Sequence, residues 1–309
     1  MTAGAPGLPP SVVVREVGPR DGLQSEQPVA AAERAALIDR LFAAGLRRVE
    51  AVSFVSPRAV PAMADPVSVL EAIHVPAGGS VAALVPNERG AGMALEAGVD
   101  ELTVTIAASP GYNEANVAMS IDQSLAAIGA ICRMAATAGV PVDAVVSCAF
   151  GSPYEGDIPA GVVGALVGRL RQLGASAVTL ADTTGMATPR VLDEVLAATG
   201  DDVGLHCHET RGTGLLNVYA AMERGVARVD TSIGGLGGSP FAAGAAGNVG
   251  TEDLVALLDD LGIETGVSLE RLLEASAMAR DLVGHELPSR VARVGPRLAL
   301  APVPKEPGG

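Results

Sequence analysis

Short runs of β-branched and apolar residues alternate with helical segments along almost the whole chain. In the segments between the runs, apolar residues recur at helical spacing, as at Leu37, Ile38 and Leu41, which is typical of amphipathic helices. The runs predict eight strands, at residues 11–17, 47–53, 80–85, 101–107, 142–148, 176–180, 203–207 and 228–233. Eight strand–helix repeats of roughly 25–35 residues favour a closed parallel barrel, and an open doubly wound sheet is the alternative.

Capping residues mark where several helices begin. Ser120 and Gln123 have the spacing of a capping box, and Thr188 precedes a proline at the first helical position. Thr251 is predicted to cap a helix that runs to Leu261, and a further helix near residues 269–283 is predicted to end the ordered chain.

These signals predict one α/β domain, a (β/α)8 TIM barrel over residues 11–265. Residues 1–10 are predicted to be a disordered tail, and residues 266–309 a C-terminal helical extension with a Pro/Gly-rich tail. In such barrels the active site lies at the carboxyl ends of the strands. Polar side chains at those ends are therefore the candidates for chemistry.

The composition restricts the partners and the compartment. A formal net charge of −14 over 309 residues argues against nucleic acid and membrane surfaces as partners, because both carry negative charge. No apolar run reaches the length of about 18 residues that spans a membrane, and the first ten residues lack the features of a signal peptide. Three cysteines without paired spacing are typical of a reduced protein. We expect a cytoplasmic protein, and the arginine and alanine bias indicates a bacterial one.

The single lysine limits the available mechanisms. Lys305 lies in the Pro/Gly-rich tail, so a buried Schiff-base lysine has almost no candidate. An enzyme of this sequence that acts on carbon–carbon bonds must stabilise a carbanion by other means.

Two histidines at the end of the seventh predicted strand form the clearest candidate site. Residues two apart in a strand share a face, so His206 and His208 point together into the barrel mouth while Cys207 points into packing. Two neutral imidazoles on one edge are typical ligands of a divalent metal. Buried histidines bonded to the backbone are the alternative, but only four histidines occur in the chain, which favours the ligand interpretation.

Other polar residues follow strand ends with less specific patterns. The segment RDGLQ after the first strand supplies an arginine, a carboxylate and Gln24, although Asp-Gly is also an ordinary turn. Glu50 and Ser53 end the second strand, and Asp182 follows the sixth. Each carboxylate either orients a neighbour in a site or caps the following helix. A glycine-rich segment after the eighth strand permits close approach to a ligand, but it lacks the Walker pattern.

Together these segments resemble the 3-hydroxy-3-methylglutaryl-CoA lyase family, within the wider group of metal-dependent lyases and condensing enzymes that share this barrel. They occur in family order and cover nearly the whole predicted barrel. The matching segments are EVGPRDGLQSE (16–26), VEAVSFVSPRAVPAM (49–63), VSCAFGSPYEG (146–156), LADTTGMATP (180–189), LHCHET (205–210) and GGLGGSPFAAGAAGNVGTEDL (234–254).

The resemblance implies one bound divalent cation, Mg²⁺ or Mn²⁺, an acyl-CoA substrate and a homodimer. The family's metal ligands fall on Asp21, His206, His208 and Asn248. Asn248 enters only through the resemblance.

The resemblance also assigns catalytic roles. Arg20 matches the family's catalytic arginine, Glu50 a catalytic-site glutamate and Asp182 an active-site aspartate. We expect Arg20 to stabilise the enolate and Glu50 to orient Arg20. The expected base is Asp182 or a water that it orients. We expect Gln24 and Ser53 to contact the substrate.

Two residues depart from the family pattern. Ser239 stands where these lyases carry a cysteine, which in the family is thought to protonate the enolate, and an alcohol is a far weaker acid than a thiol. Arg211 follows the histidine motif where a lyase of this family has an aromatic residue, so we expect it to contact a substrate group at the pocket mouth.

The predicted function is cleavage of 3-hydroxy-3-methylglutaryl-CoA to acetyl-CoA and acetoacetate. One alternative is a lyase for a related 3-hydroxyacyl-CoA or for a non-CoA hydroxy acid, with Ser239 as the sign of divergence. A condensing synthase is disfavoured because little chain remains after the barrel for a regulatory domain. A non-catalytic metal-binding barrel is disfavoured because all four ligands are present.

Overall fold

Eight parallel strands close into a barrel in the order in which they occur along the chain, with helices between them. This architecture was established from a computed structural model, which describes residues 7–238 and 247–298. The predicted (β/α)8 barrel is confirmed, and each predicted strand differs from the observed one by at most two residues at either end. The strands are β1 (Val13–Glu16), β2 (Arg48–Ser53), β3 (Ser80–Leu84), β4 (Glu101–Ala107), β5 (Val142–Ser147), β6 (Ala177–Asp182), β7 (Gly204–Cys207) and β8 (Arg228–Thr231).

Eleven α-helices are present in the described part of the chain, and short helical turns lie at Gly18–Gly22, Leu23–Ser25, Pro61–Met63 and Ile233–Gly235. The α-helices are α1 (Ala31–Ala43), α2 (Pro66–Ala72), α3 (Glu88–Glu96), α4 (Pro110–Val117), α5 (Ile121–Ala138), α6 (Ala160–Gln172), α7 (Pro189–Thr199), α8 (Gly214–Glu223), α9 (Thr251–Leu261), α10 (Leu269–Val283) and α11 (Arg290–Val294).

Two of the predicted helix starts are confirmed, and one is wrong. Ser120 and Gln123 form a complete capping box at α5, and the Thr188 hydroxyl accepts a hydrogen bond at the start of α7. The N-cap of α9 is Gly250, whereas Thr251 is the first helical residue. The Thr251 hydroxyl instead donates to a Glu16 carboxylate oxygen at 2.6 Å, a contact across the fold that local spacing does not reveal.

The chain continues past α10 with one more helix, contrary to the prediction that α10 ends the ordered chain. Ser289 caps α11, and its hydroxyl donates to Asp253 at the start of α9. This short segment packs back onto the barrel through polar contacts, which the apolar periodicity used for prediction does not register. Residues 1–6 and 299–309 of the predicted tails lie outside the described residues.

The barrel interior carries charged side chains, whereas the faces of the strands that meet the helices are apolar. Leu102, Val104, Leu180 and Leu205 are almost fully buried in the hydrophobic core. Arg15 on β1, however, contacts Asp143 on β5, so its guanidinium crosses the interior of the closed barrel. The interior is therefore polar beneath the carboxyl ends of the strands.

Among the described helices, none alone is both long and apolar enough to cross a membrane. The bent pair α4 and α5, which meet at 60°, reaches that length and composition only when the two helices are taken together.

Candidate active site and metal centre

The end of β7 brings two imidazoles together. The Nε2 atoms of His206 and His208 lie 3.2 Å apart, and both rings are buried. The intervening Cys207 is fully buried in the hydrophobic core on the other side of the strand. The alternation of side chains along the strand therefore places the two histidines on one face.

Asp21 reaches the same point from the end of β1. It lies in a five-residue turn of π-helix, Gly18–Gly22, a geometry that is rare in proteins and frequent at functional sites. One carboxylate oxygen of Asp21 and one nitrogen of each histidine lie within 4.8 Å of one another. Burial raises the pKa of Asp21, but Arg20 and the two histidines lower it by more, so the net pKa is below its ordinary value. The cluster therefore presents a carboxylate anion beside two imidazoles.

Asn248 lies beside Asp21, His206 and His208 because its backbone pairs with the chain at the end of β7. It forms an isolated β-bridge with His208, which fixes it beside β7. Its amide nitrogen donates to Asp21 Oδ2 at 2.8 Å and to the carbonyl of Leu236 at 2.9 Å. Its amide oxygen is buried and has no hydrogen-bond partner among the described residues. A cation would satisfy that oxygen.

Gly237 permits this arrangement. Its φ of +101° lies in the region that favours glycine, and a Cβ there would lie 2.5 Å from Asn248 Nδ2. A side chain at this position would displace Asn248 from Asp21.

The donor set fits a divalent cation. One carboxylate, two imidazoles and one amide oxygen leave room for water and substrate oxygens in an octahedral shell, which suits Mg²⁺ or Mn²⁺. Within the described part of the chain, Asp21, His206 and His208 form the one group of at least three histidine, cysteine or acidic side chains with this geometry. The unpartnered Asn248 oxygen supports the same assignment.

Arg20 lies next to this centre and is held rigidly. Its Nε and Nη2 donate to the two oxygens of Glu50, each at 2.9 Å, and its Nη1 donates to Asp21 Oδ1 at 2.8 Å. Burial lowers the pKa of Arg20, but Glu50 and Asp21 raise it by more, so it stays a fixed cation. A two-point contact of this kind sets the plane of the guanidinium as well as its position.

Asp182 divides its two carboxylate oxygens between two roles. Oδ1 accepts hydrogen bonds from the backbone N–H groups of Met186 and Ala187, which caps the turn before α7. Oδ2 is buried and lacks a hydrogen-bond partner in the described structure. Burial raises the pKa of Asp182 to about 7. The capping interpretation of this residue is therefore confirmed for one oxygen, and its role in the site stays a prediction.

The remaining predicted residues differ in what they contact. Gln24 Nε2 approaches Asp21 Oδ1 at 3.4 Å. Arg211 Nη1 donates to the carbonyls of Thr184 and Gly185, and its charge acts on Asp182. The Ser53 hydroxyl is buried without a hydrogen-bond partner in the part of the chain described. Ser239 lies outside the described residues.

Two buried glutamates that sequence reasoning did not select support the loop after β8. Glu16 accepts hydrogen bonds from the backbone N–H groups of Gly18 and Ile233, and Glu252 accepts from Gly234. Burial raises the pKa of Glu16 to about 7 and that of Glu252 to about 8. Glu16 ends a strand and Glu252 lies in the first turn of a helix, and acidic residues are common in such first turns. The sequence therefore carried no signal that distinguished Glu252 from a solvent-exposed residue.

Comparison with known proteins finds relatives over almost the whole chain. The family model described as HMGL-like matches residues 11–279. The mitochondrial hydroxymethylglutaryl-CoA lyase of Macaca fascicularis is 41% identical over 94% of this chain and 92% of its own length. The hydroxymethylglutaryl-CoA lyase of Bacillus subtilis is 40% identical over 93% of this chain and 98% of its own length. An HMG-CoA lyase of Acinetobacter baumannii, solved with coenzyme A and 3-methylmalate, superposes with a TM-score of 0.91 at 40% identity, covering 98% of this chain and 100% of its own.

Proposed function

The chain belongs to the HMGL-like family and is a carbon–carbon lyase, and we propose that it cleaves 3-hydroxy-3-methylglutaryl-CoA to acetyl-CoA and acetoacetate with one Mg²⁺ or Mn²⁺ ion bound. The observation that carries this proposal is the convergence of Asp21, His206 and His208 within 4.8 Å, beside an arginine fixed by two hydrogen bonds. The relatives named above favour this substrate over the related hydroxy acids.

The reaction breaks the bond between the carbon next to the thioester and the tertiary carbinol carbon. The carbinol hydroxyl loses its proton, its oxygen becomes the ketone of acetoacetate, and the electron pair of the broken bond passes to the thioester as an enolate. When bound, a divalent cation lowers the pKa of such a hydroxyl. The chain's own groups, or a water that they orient, must accept the hydroxyl proton, stabilise the enolate and return a proton to its carbon, which gives acetyl-CoA.

We assign proton acceptance to Asp182. Its Oδ2 has no partner in the described structure, and a pKa of about 7 leaves a large deprotonated fraction near neutrality while allowing proton transfer in both directions. The hydrogen bonds from Met186 and Ala187 to Oδ1 hold the carboxylate while Oδ2 acts.

We assign stabilisation of the enolate to Arg20. Glu50 fixes its guanidinium before substrate binds, so little reorganisation is needed when negative charge develops. The only lysine of the chain is Lys305, so the Arg20 cation stabilises the carbanion where other carbon–carbon lyases use a Schiff-base lysine. Gln24, Ser53 and Arg211 contact the substrate around it.

The test is metal-dependent release of acetyl-CoA from 3-hydroxy-3-methylglutaryl-CoA. We expect release with Mg²⁺ or Mn²⁺, loss of release with EDTA, and loss in His208→Gln. His74→Gln is the matched control, because His74 is 87% exposed and bonded to Asp39. No release from a folded parent protein that binds Mn²⁺ would contradict the substrate assignment.

Ser239 gives a second test of the same reaction. A cysteine is a much stronger acid than a serine, so Ser239→Cys is expected to raise kcat by about 10-fold or more if enolate protonation limits the rate. The rate at which the methyl protons of acetyl-CoA exchange with solvent deuterium measures that step directly. An unchanged kcat together with an unchanged exchange rate would exclude residue 239 from proton delivery.

A further inference from the structure

Three charged or ionisable side chains occupy neighbouring positions on three adjacent strands below the metal centre. In the strand pairing, Arg15 of β1 is opposite Asp230 of β8, and Asp230 is opposite His206 of β7. Register neighbours in a parallel sheet point to the same face. Their side chains therefore meet inside the barrel, one layer beneath Asp21 and His208.

The Asp230 carboxylate contacts both neighbours. Arg15 donates to it twice, from Nε to Oδ1 at 2.8 Å and from Nη2 to Oδ2 at 2.7 Å. The same Oδ2 lies 3.3 Å from His206 Nδ1. On the opposite edge of that imidazole, Nε2 faces His208 Nε2. One nitrogen of His206 is therefore directed to the carboxylate and the other to the ligand cluster.

We propose that Asp230 is a positioning residue for the metal ligand His206. The carboxylate accepts the Nδ1–H of the imidazole, which fixes the tautomer whose Nε2 lone pair is directed at the cation and also fixes the rotation of the ring. A carboxylate behind a ligating histidine has this effect in metal sites generally. The inference rests on the proposed function, because it assumes that the cluster holds a metal.

Arg15 fixes the carboxylate in turn. Its Nη1 is 2.7 Å from Asp143 Oδ2 and 3.1 Å from Glu101 Oε1, both on the other side of the barrel. With Nε and Nη2 engaged by Asp230, the guanidinium has little freedom to rotate. The Arg15 guanidinium thus links four strands, β1, β4, β5 and β8, to the orientation of His206.

The competing explanation is that these groups form an ion-pair network with a structural role alone. Asp143 provides the control that separates the two, because it bonds Arg15 at the same distance as Asp230 does. Its other hydrogen-bond contact in the described structure is with Thr179, not with a histidine. A structural role predicts that Asp143→Asn and Asp230→Asn change Mn²⁺ affinity by similar amounts. A positioning role predicts that Asp230→Asn weakens Mn²⁺ binding much more than Asp143→Asn does.

The first experiment measures Mn²⁺ affinity of metal-free protein by calorimetry. We expect Asp230→Asn to raise the Kd by about 10–100-fold and Asp143→Asn to change it by less than about 3-fold. Equal Kd values for Asp230→Asn and the parent overturn this inference and leave the proposed function intact. A parent protein that does not bind Mn²⁺ overturns both.

The second experiment needs no destabilising variant. In the parent protein loaded with diamagnetic Mg²⁺, long-range ¹H–¹⁵N correlations report which ring nitrogen carries the proton. With four histidines in the chain, the His206 signal is identified by its absence in His206→Gln. We expect the proton on Nδ1, and a proton on Nε2 would overturn the inference.

Discussion

Two buried arginine–carboxylate pairs lie at different depths of the barrel and have the same local geometry. At the mouth, Arg20 donates through Nε and Nη2 to both oxygens of Glu50, and deeper inside, Arg15 donates through the same two nitrogens to both oxygens of Asp230. All four side chains are at least nine-tenths buried.

The two arginines differ in what their third nitrogen contacts. Nη1 of Arg20 donates to one further carboxylate, Asp21, which is itself a proposed metal ligand. Nη1 of Arg15 is within ion-pair distance of two more, Asp143 and Glu101. In the described structure the interior arginine contacts three carboxylates, whereas the one at the mouth contacts two. We propose that the same motif supplies a reactive cation in one place and a fixed support in the other.

The largest effect is expected from Arg20→Gln. Removal of the cation that we propose to stabilise the developing enolate is expected to lower kcat by about 10³-fold. Mn²⁺ affinity should stay within about tenfold of the parent, because the four proposed ligands remain. Steady-state kinetics and calorimetry measure the two quantities. A loss of kcat explained by lost metal binding would contradict the assigned role.

Arg15→Gln is expected to act on stability instead. It leaves Asp230 and Asp143 buried without their counter-charge, and breaking such pairs typically costs about 3–5 kcal/mol. Urea unfolding should show that loss, while kcat at saturating Mn²⁺ should fall far less than in Arg20→Gln. Equal losses of kcat in the two variants would remove the distinction between the two arginines.

Asp182→Asn is expected to lower kcat/KM by about 10²-fold and to change its pH dependence. In the parent, kcat/KM should fall as the pH decreases through about 7, because the base acts only when it is deprotonated. The variant should lose that limb of the profile. A parent profile that is flat between pH 5.5 and 8 would assign the base elsewhere.

The comparison of the arginines also shows which contacts the sequence could reveal. Alternation along one strand was enough to place His206 and His208 on one face, because both residues belong to a single predicted element. Arg15 and Asp230 also occupy inward positions of their strands, but they are far apart in the chain. Only closure of the barrel in the observed register brings them together. That register depends on packing of the whole sheet and is not encoded in any one segment.

The site residues also differ in whether a local stretch of sequence reveals their contacts. The proposed metal ligand Asn248 was predicted from the family resemblance alone, because the bridge that sets it beside His208 spans 40 positions. Asp182 was ambiguous from the sequence, since its spacing fits a cap and its unpartnered Oδ2 is visible only in three dimensions. The error at Thr251 has the same origin, because its hydroxyl bonds Glu16 rather than its own helix.

Glu252 is a buried carboxylate that contacts no arginine within the described residues. It can therefore be compared with Asp230, which contacts one. Burial raises the pKa of Asp230, but Arg15 and His206 together lower it by more, so the net pKa is well below the ordinary value. Burial also raises the pKa of Glu252, here to about 8, and the nearby Glu16 adds to the increase. The cationic partners of Asp230 therefore give its pKa shift the opposite sign from that of Glu252.

The smallest effect is expected from Glu252→Gln. In the unfolded chain the carboxyl titrates near 4.5, and in the folded protein near 8, so the folded state binds more protons between these values. The stability that this group contributes is complete below about pH 4.5 and is lost as the pH rises to about 8. The glutamine side chain cannot ionise, so the Tm of the variant should exceed that of the parent at pH 8.5 by a few degrees. For a domain of this size, 1 kcal/mol of stability corresponds to about 2–4 °C in Tm. At pH 5 the difference should largely disappear.

Thermal unfolding at both pH values measures this, with Glu270→Gln on the exposed face of α10 as the control. A Tm difference that is the same at pH 5 and 8.5 would show that Glu252 is ionised throughout, stabilised by the hydrogen bonds from Gly234.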